Sequence, residues 1–266
     1  MHKIDVPSEI RTDLLVEQEF SFEETKSRKN KGIEVEEDSF SKNKCTTIFF
    51  DDITDQANYQ AVQKIFCREL KKYLSLSSED KILVVGLGNE KSTPDSLGPA
   101  TIEHILVTRY LFLLGDVEDG YSNVASFTPN VMGNTGIETI EIIQSVVQQT
   151  KATKVIIVDA LKTNSLSRLG KTIQITDKGI SPGSGIGNNR KEISKGNIKA
   201  KVIAIGVPTV VDLRTIFKES LKEDTNSTNF VVTPTNIDFL IEKLALLIGN
   251  GINISLHKNF IRQNNL

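Results

Sequence analysis

The chain has 266 residues, a formal net charge of -2 and 25% charged residues, so it is long enough to bury a substantial core as one large domain or two small ones. That charge gives no global basic field for nucleic acid, and two cysteines, Cys45 and Cys67, are too few for a disulfide framework. No run of about 18 apolar residues marks a membrane span, and MHKIDVPSEIRTD lacks the apolar core of a secretory signal, so a cytosolic, reducing compartment is expected.

Residues 1–44 are polar, charge-rich from Glu23 to Lys44 and weakly periodic, and read as an N-terminal arm that is at least partly mobile. From Cys45 to His257 the pattern is that of one α/β domain, followed by a tail over 258–266. Thr46–Phe50 is a short β-rich run. Tyr59–Leu76 carries Val62, Ile65, Phe66, Leu70 and Leu74 at helical spacing. KILVVG (81–86) is a continuous apolar strand of the kind buried on both faces. A helix is expected over Leu97–Leu114, a strand over Asn123–Phe127 and a helix over Gly136–Thr150. KVIIV (154–158) is a second buried strand, TIQIT (172–176) an alternating, edge-like one, and VIAI (202–205) a third buried one. Lys218–Asn229 reads as a connection, and Asn236–Ile248 closes the domain as a helix. Strands alternating with helices argue for a mostly parallel sheet covered on both faces.

In such a sheet, ligands and catalytic groups collect past the carboxyl ends of the strands. Four loops leave those ends: GLGNEKSTPDSLGP (86–99), TPNVMGNTGIET (128–139), the segment from Asp159, and GVPTVVD (206–212). Asp95 precedes an amphipathic helix, where a carboxylate either caps the helix or does chemistry. Asp159 follows an apolar strand, and structural and functional roles are both open for it. Two carboxylates on neighbouring strand ends can divide the roles of acid and base and activate a water for peptide hydrolysis. Asn89 and Asn134 are candidate substrate-binding or site-supporting residues. Arg190 and Lys191, beside GSGIGN (183–188), join them because they could hold a carboxylate; an exposed loop is the alternative. GSGIGN does not match the dinucleotide fingerprint, and GLGN (86–89) is a similarly weak nucleotide signal. His2, His104 and His257 share no metal-ligand spacing, and there is no GxSxG elbow. The residues alone therefore read as a hydrolase-like α/β domain with an acidic candidate site.

The stretches VVGLGN, TPDSLGP, VTRYLF, VMGNTGIET, VDAL, GSGIGNNRKEIS and VIAIGVPTVVD, in that order, resemble the germination proteases of spore-forming bacteria. VTPTNIDFLIEKLALLIGNGINISLH resembles that family's C-terminal helical segment, and IRTDLLVE fits its N-terminus. The similarity covers about residues 60–215 and 231–257.

The resemblance implies an endopeptidase of the spore core that degrades small acid-soluble spore proteins at germination. It further implies a zymogen that assembles as a homotetramer, with Asp95 and Asp159 as the catalytic pair. It implies a three-layer αβα fold similar to the hydrogenase-maturation proteases. Those enzymes hold a metal with an acidic residue directly after the first aspartate and a later histidine. Here Ser96 stands there and no suitable histidine follows, so neither metal nor cofactor is expected, and neither a nucleic-acid nor a membrane partner. Family members carry a longer insertion after VPTVVD, a region reduced here to about Leu213–Asn229. The family's substrates and propeptide place an acidic residue before a bulky apolar one, so the chain is expected to cut itself between Asp13 and Leu14 and release residues 1–13.

Overall fold

The computed structural model describes residues 12–18, 22–30, 32–183, 191–221 and 230–260. Its frame is one mixed sheet. The strands are β1 (Glu24–Asn30), β2 (Ile33–Phe40), β3 (Asn43–Phe49), β4 (Lys81–Gly86), β5 (Asn123–Phe127), β6 (Lys154–Thr163), β7 (Thr172–Thr176), β8 (Lys201–Asp212) and β9 (Val231–Val232). Their order is β1-β2-β3-β7-β8-β6-β4-β5, with β9 on β8. The parallel part is β8-β6-β4-β5, and the remaining pairings are antiparallel.

The helices are α1 (Gln56–Leu74), α2 (Leu97–Ile102), α3 (Arg109–Leu114), α4 (Met132–Thr135), α5 (Thr139–Thr150), α6 (Leu213–Leu221) and α7 (Ile237–Leu256). Alternate side chains of each central strand enter opposite layers, as the pleat requires. Val84, Ile156, Val158, Ile203 and Ile205 pack with Phe66, Leu70, Leu244 and Ile248 of α1 and α7. Leu83, Val85, Val155, Ile157 and Val202 pack with Ile140, Ile143 and Val147 of α5. The result is the expected α/β sandwich.

Several boundaries depart from the sequence pattern. Residues 24–30 and 33–40, read as irregular, form the edge strand β1 and its neighbour β2 on one side of the sheet. β1 is exposed along its whole length, so no apolar alternation announces it, and its place comes from antiparallel register with β2. The helix expected over 97–114 is two short helices, because Thr108 N donates to Val124 O and Leu106 N to Asn253 Oδ1 between them. TIQIT lies inside the sheet between β3 and β8, buried throughout.

By length and composition α7 is apolar enough to cross a membrane, yet 61% of that stretch is buried inside the domain. Its core residues Leu244, Leu247 and Ile248 are fully buried. Just after it, His257 is fully buried, with Nδ1 accepting from Ser122 N at 3.2 Å. Burial pushes its pKa down to about 4, so the fold holds it neutral while the unfolded chain titrates near 6.5. Its contribution is therefore complete above pH of about 6.5 and lost as pH falls towards 4, amounting to at most about 3 kcal/mol. Denaturant unfolding at pH 7 and 4.5 should show this loss, and His257→Gln should flatten it.

Candidate active site

The parallel strands end at different heights, and this step makes the site. β4 stops at Gly86, opposite Val158, while β6 and β8 run on side by side to Thr163 and Asp212. Asp159 is thus the first residue of β6 beyond the end of β4, inside a long strand rather than at a strand end. It is 6% exposed, and its Oδ1 accepts from Ala160 N at 3.0 Å.

Leu87 N still donates to Val158 O at 2.8 Å, after which the chain turns through Gly88 at φ +115°. The loop then closes on itself. Asn89 N donates to both the carbonyl and the Oδ2 of Asp95, each at 3.0 Å. Asp95 ends a 3-10 turn over Thr93–Asp95, and the residue at the N-cap position of α2 is Ser96. The Asp95 carboxylate therefore binds the strand-exit loop. Two glycines permit this closeness. A Cβ on Gly88 would lie 1.9 Å from Asp95 O, and one on Gly98 would lie 2.1 Å from Leu87 O. From the other side, Thr209 Oγ1 of β8 donates to Pro94 O at 2.6 Å.

Asp95 and Asp159 line one cavity of about 280 Å³ together with Asp13, Asn130, Lys162 and Thr209. Asn89 supports Asp95 through its backbone. Asn134 is exposed and donates from Nδ2 to Asn130 Oδ1 at 2.8 Å, bracing a residue that does reach the cavity. Lys191 is 67% exposed, 3.8 Å from Glu141, and lies away from the lining. Arg190 and the rest of GSGIGN after Gly183 lie outside the described residues, although Pro182 and Gly183 line the cavity.

The arm enters the same place. Asp13 N donates to Lys162 O at 2.9 Å, and Lys162 N donates to Asp13 Oδ2 at 3.0 Å. Leu14 and Leu15 are 0% and 5% exposed, and Leu15 N donates to Gln174 Oε1 at 2.7 Å.

The sequence reading had not found the buried ion group of Lys162, Asp212 and Arg214. Lys162 Nζ lies 2.9 Å from Asp212 Oδ2, and Arg214 Nη2 lies 2.8 Å from the same oxygen. Burial would raise the Asp212 pKa, but hydrogen bonds from Arg214 and Lys162 outweigh it and hold the carboxyl well below the ordinary range. Asp212 stays ionised and pairs with Lys162 at the cavity wall. Among the described residues no group of three or more His, Cys, Asp or Glu side chains could hold a metal ion.

An α/β sheet with two carboxylates lining one cavity beyond the end of a central parallel strand fits a class of hydrolase-like sites. The sequence pattern that defines the germination proteases matches residues 33–227. Germination proteases with similar sequences include that of Geobacillus sp. (strain WCH70), 37% identical over 77% of this chain and 74% of that one. The one from Oceanobacillus iheyensis is 40% identical over 83% and 69%, and that of Bacillus subtilis (strain 168) 35% over 79% and 76%. Among solved structures, the [NiFe] hydrogenase maturation protease HycI of Thermococcus kodakarensis KOD1 aligns with 70% of this chain and 99% of its own. The TM-score is 0.39 and the identity 18%, too distant to carry an argument. The chain belongs to the germination protease family, and its role is that of a protease in spore germination.

Proposed function

We propose that this chain is an endopeptidase that starts the degradation of small acid-soluble spore proteins in the germinating spore core, with Asp95 and Asp159 as its catalytic pair. One observation carries the reading: both carboxylates line a single cavity, and the chain's own Asp13, in TDLLVE, reaches into it. One aspartate takes a proton from water as the water attacks the peptide carbonyl, and the other gives a proton to the leaving amine. The protein is made as a zymogen and works as a homotetramer. Incubation with a purified spore DNA-protecting protein, with the new termini read by mass spectrometry, tests this. Cleavage after acidic residues that precede bulky apolar ones is expected, and no cleavage would overturn it.

Two expectations accompany this reading. Cleavage should survive exhaustive chelation, and a loss restored by one particular metal would refute the metal-free mechanism. The arm should be trimmed between Asp13 and Leu14 when the purified protein is held at pH values from about 5 to 8, where perturbed carboxylates titrate. Mass spectrometry should show residues 1–13 released, and an Asp159→Asn chain should keep its N-terminus.

A further inference from the structure

The pairing of β6 with β8 slips once. Leu161 lies opposite Pro208 and Lys162 opposite Val210, so Thr209 is an extra residue with no counterpart on β6. Such a bulge twists its strand and re-aims a side chain, and bulges recur beside active sites. This one falls where β8 borders the cavity, which Thr209 and Val210 both line. Neighbouring segments pin it. Pro208 O accepts from Gly170 N at 2.7 Å, and Thr209 O accepts from the Thr233 hydroxyl at 2.8 Å. Thr209 itself is 1% exposed, and its hydroxyl donates to Pro94 O at 2.6 Å.

That hydrogen bond reaches the loop at the residue before Asp95. Within the turn, Thr93 O accepts from Ser96 N at 3.1 Å, and Asp95 O accepts from Asn89 N at 3.0 Å. The Pro94 carbonyl between them is held from β8 instead. The proline ring fixes φ, so a carbonyl tied at Pro94 leaves little freedom in the peptide that leads into Asp95. In the sheet, β6 lies between β8 and β4. The bond from Thr209 therefore passes from one flank of the strand that bears Asp159 to the loop leaving the strand on its other flank. It ties Asp95 to the frame that carries Asp159, by a contact separate from the closure at Gly88. A valine of similar shape would fill the same space and leave Pro94 O without its donor.

We propose that Thr209 is a positioning residue for the aspartate pair: its hydroxyl sets where Asp95 stands relative to Asp159. Thr233, just after β9, backs it by holding the carbonyl of the bulge. The relay runs from Thr233 through Thr209 to Pro94, so the chain that returns along β9 completes the site. The proposal rests on the endopeptidase reading above. Displaced acid–base groups slow the chemical step, while a cavity whose walls still stand holds its substrate as before, so kcat carries the effect.

The test uses full-length Thr209→Val and Thr209→Ser chains, with the purified spore DNA-protecting protein as substrate. Thr209→Val should lose about 100-fold in kcat, the scale of a displacement of about 1 Å, with KM changed far less. Thr209→Ser keeps the hydroxyl and should recover most of that loss. Hydrogen exchange read by mass spectrometry should show residues 86–99 exchanging faster in Thr209→Val and near the parental rate in Thr209→Ser. Parental kcat and parental exchange in Thr209→Val overturn the proposal. So does a raised KM with kcat kept, or a loss that is equal in both variants. If the parent chain itself leaves the spore protein uncut, the endopeptidase reading falls, and the exchange over 86–99 still decides whether Thr209 holds the Asp95 loop. If Thr209→Val does not fold, Thr233→Val removes only the backing hydrogen bond and should show the same split to a smaller extent; parental kinetics and exchange there overturn the proposal.

Discussion

Replacing Asp159 by Asn should lower cleavage of a spore protein by roughly 1,000-fold or more, the scale of a lost acid–base group, and Asp95→Asn should do the same. The two are expected to act as a unit, so the double variant should be little worse than either single one. Asp159 is a buried residue of β6 just past the end of β4, and Asp95 is clamped by Asn89 N in the adjoining loop. Neither carboxylate lies among the strand-to-helix packing residues, so each variant should unfold within about 1 kcal/mol of the parent. The measurement is initial cleavage rate beside a denaturant unfolding curve. Near-parental activity in either variant would remove that residue from the mechanism, and a purely structural loss would show as reduced stability with activity retained at low temperature.

The second large effect is expected away from any charge. Gly88→Ala should reduce cleavage by about 100-fold or more, as expected when catalytic groups are displaced by about 1 Å. Gly88 has φ +115°, and its added Cβ would meet the Asp95 carbonyl oxygen at 1.9 Å. Backbone cannot yield as a side-chain tip does, so the loop bearing Asp95 must move. KM should change less than kcat, because the wall formed by β6 and β8 stays in place. Ala tolerated at position 88 with full activity would mean that the observed closure of this loop is not the active arrangement.

Much of the parallel core could be read from the chain. β4, β5 and β7 fall where their runs of apolar or alternating residues put them, and the loops after the buried strands do converge. Most of what failed has one physical cause: burial supplied by a distant segment. TIQIT reads as an edge because Gln174 and the threonines look solvated. Gln174 is in fact covered by the arm and accepts from Leu15 N, and Thr176 Oγ1 donates to Lys44 O of the neighbouring β3. ETKSRKN holds no apolar side at all, so only its register with β2 makes it a strand. Lys162 finds Asp212, and Glu17 finds Arg168, across separations in sequence that no local pattern spans. Asp95 illustrates the opposite case. Its position before a helix suggested a cap, and the glycine two residues past the strand end diverted its carboxylate to the loop.

The order of the sheet sets a schedule. The groove that seats TDLLVE exists only after β6 has paired with β8 and β3 with β7, contacts that link the first fifth of the chain, through β7, to β8 in its last third. Such long-range pairings are the slow events of folding. A growing chain that ends short of β8 therefore has both aspartates but no groove, and under the proposed self-cleavage its own N-terminus is safe from it. Under the proposed self-cleavage, trimming becomes a receipt for completed assembly: only a molecule that has brought β8 home can sign off its first residues.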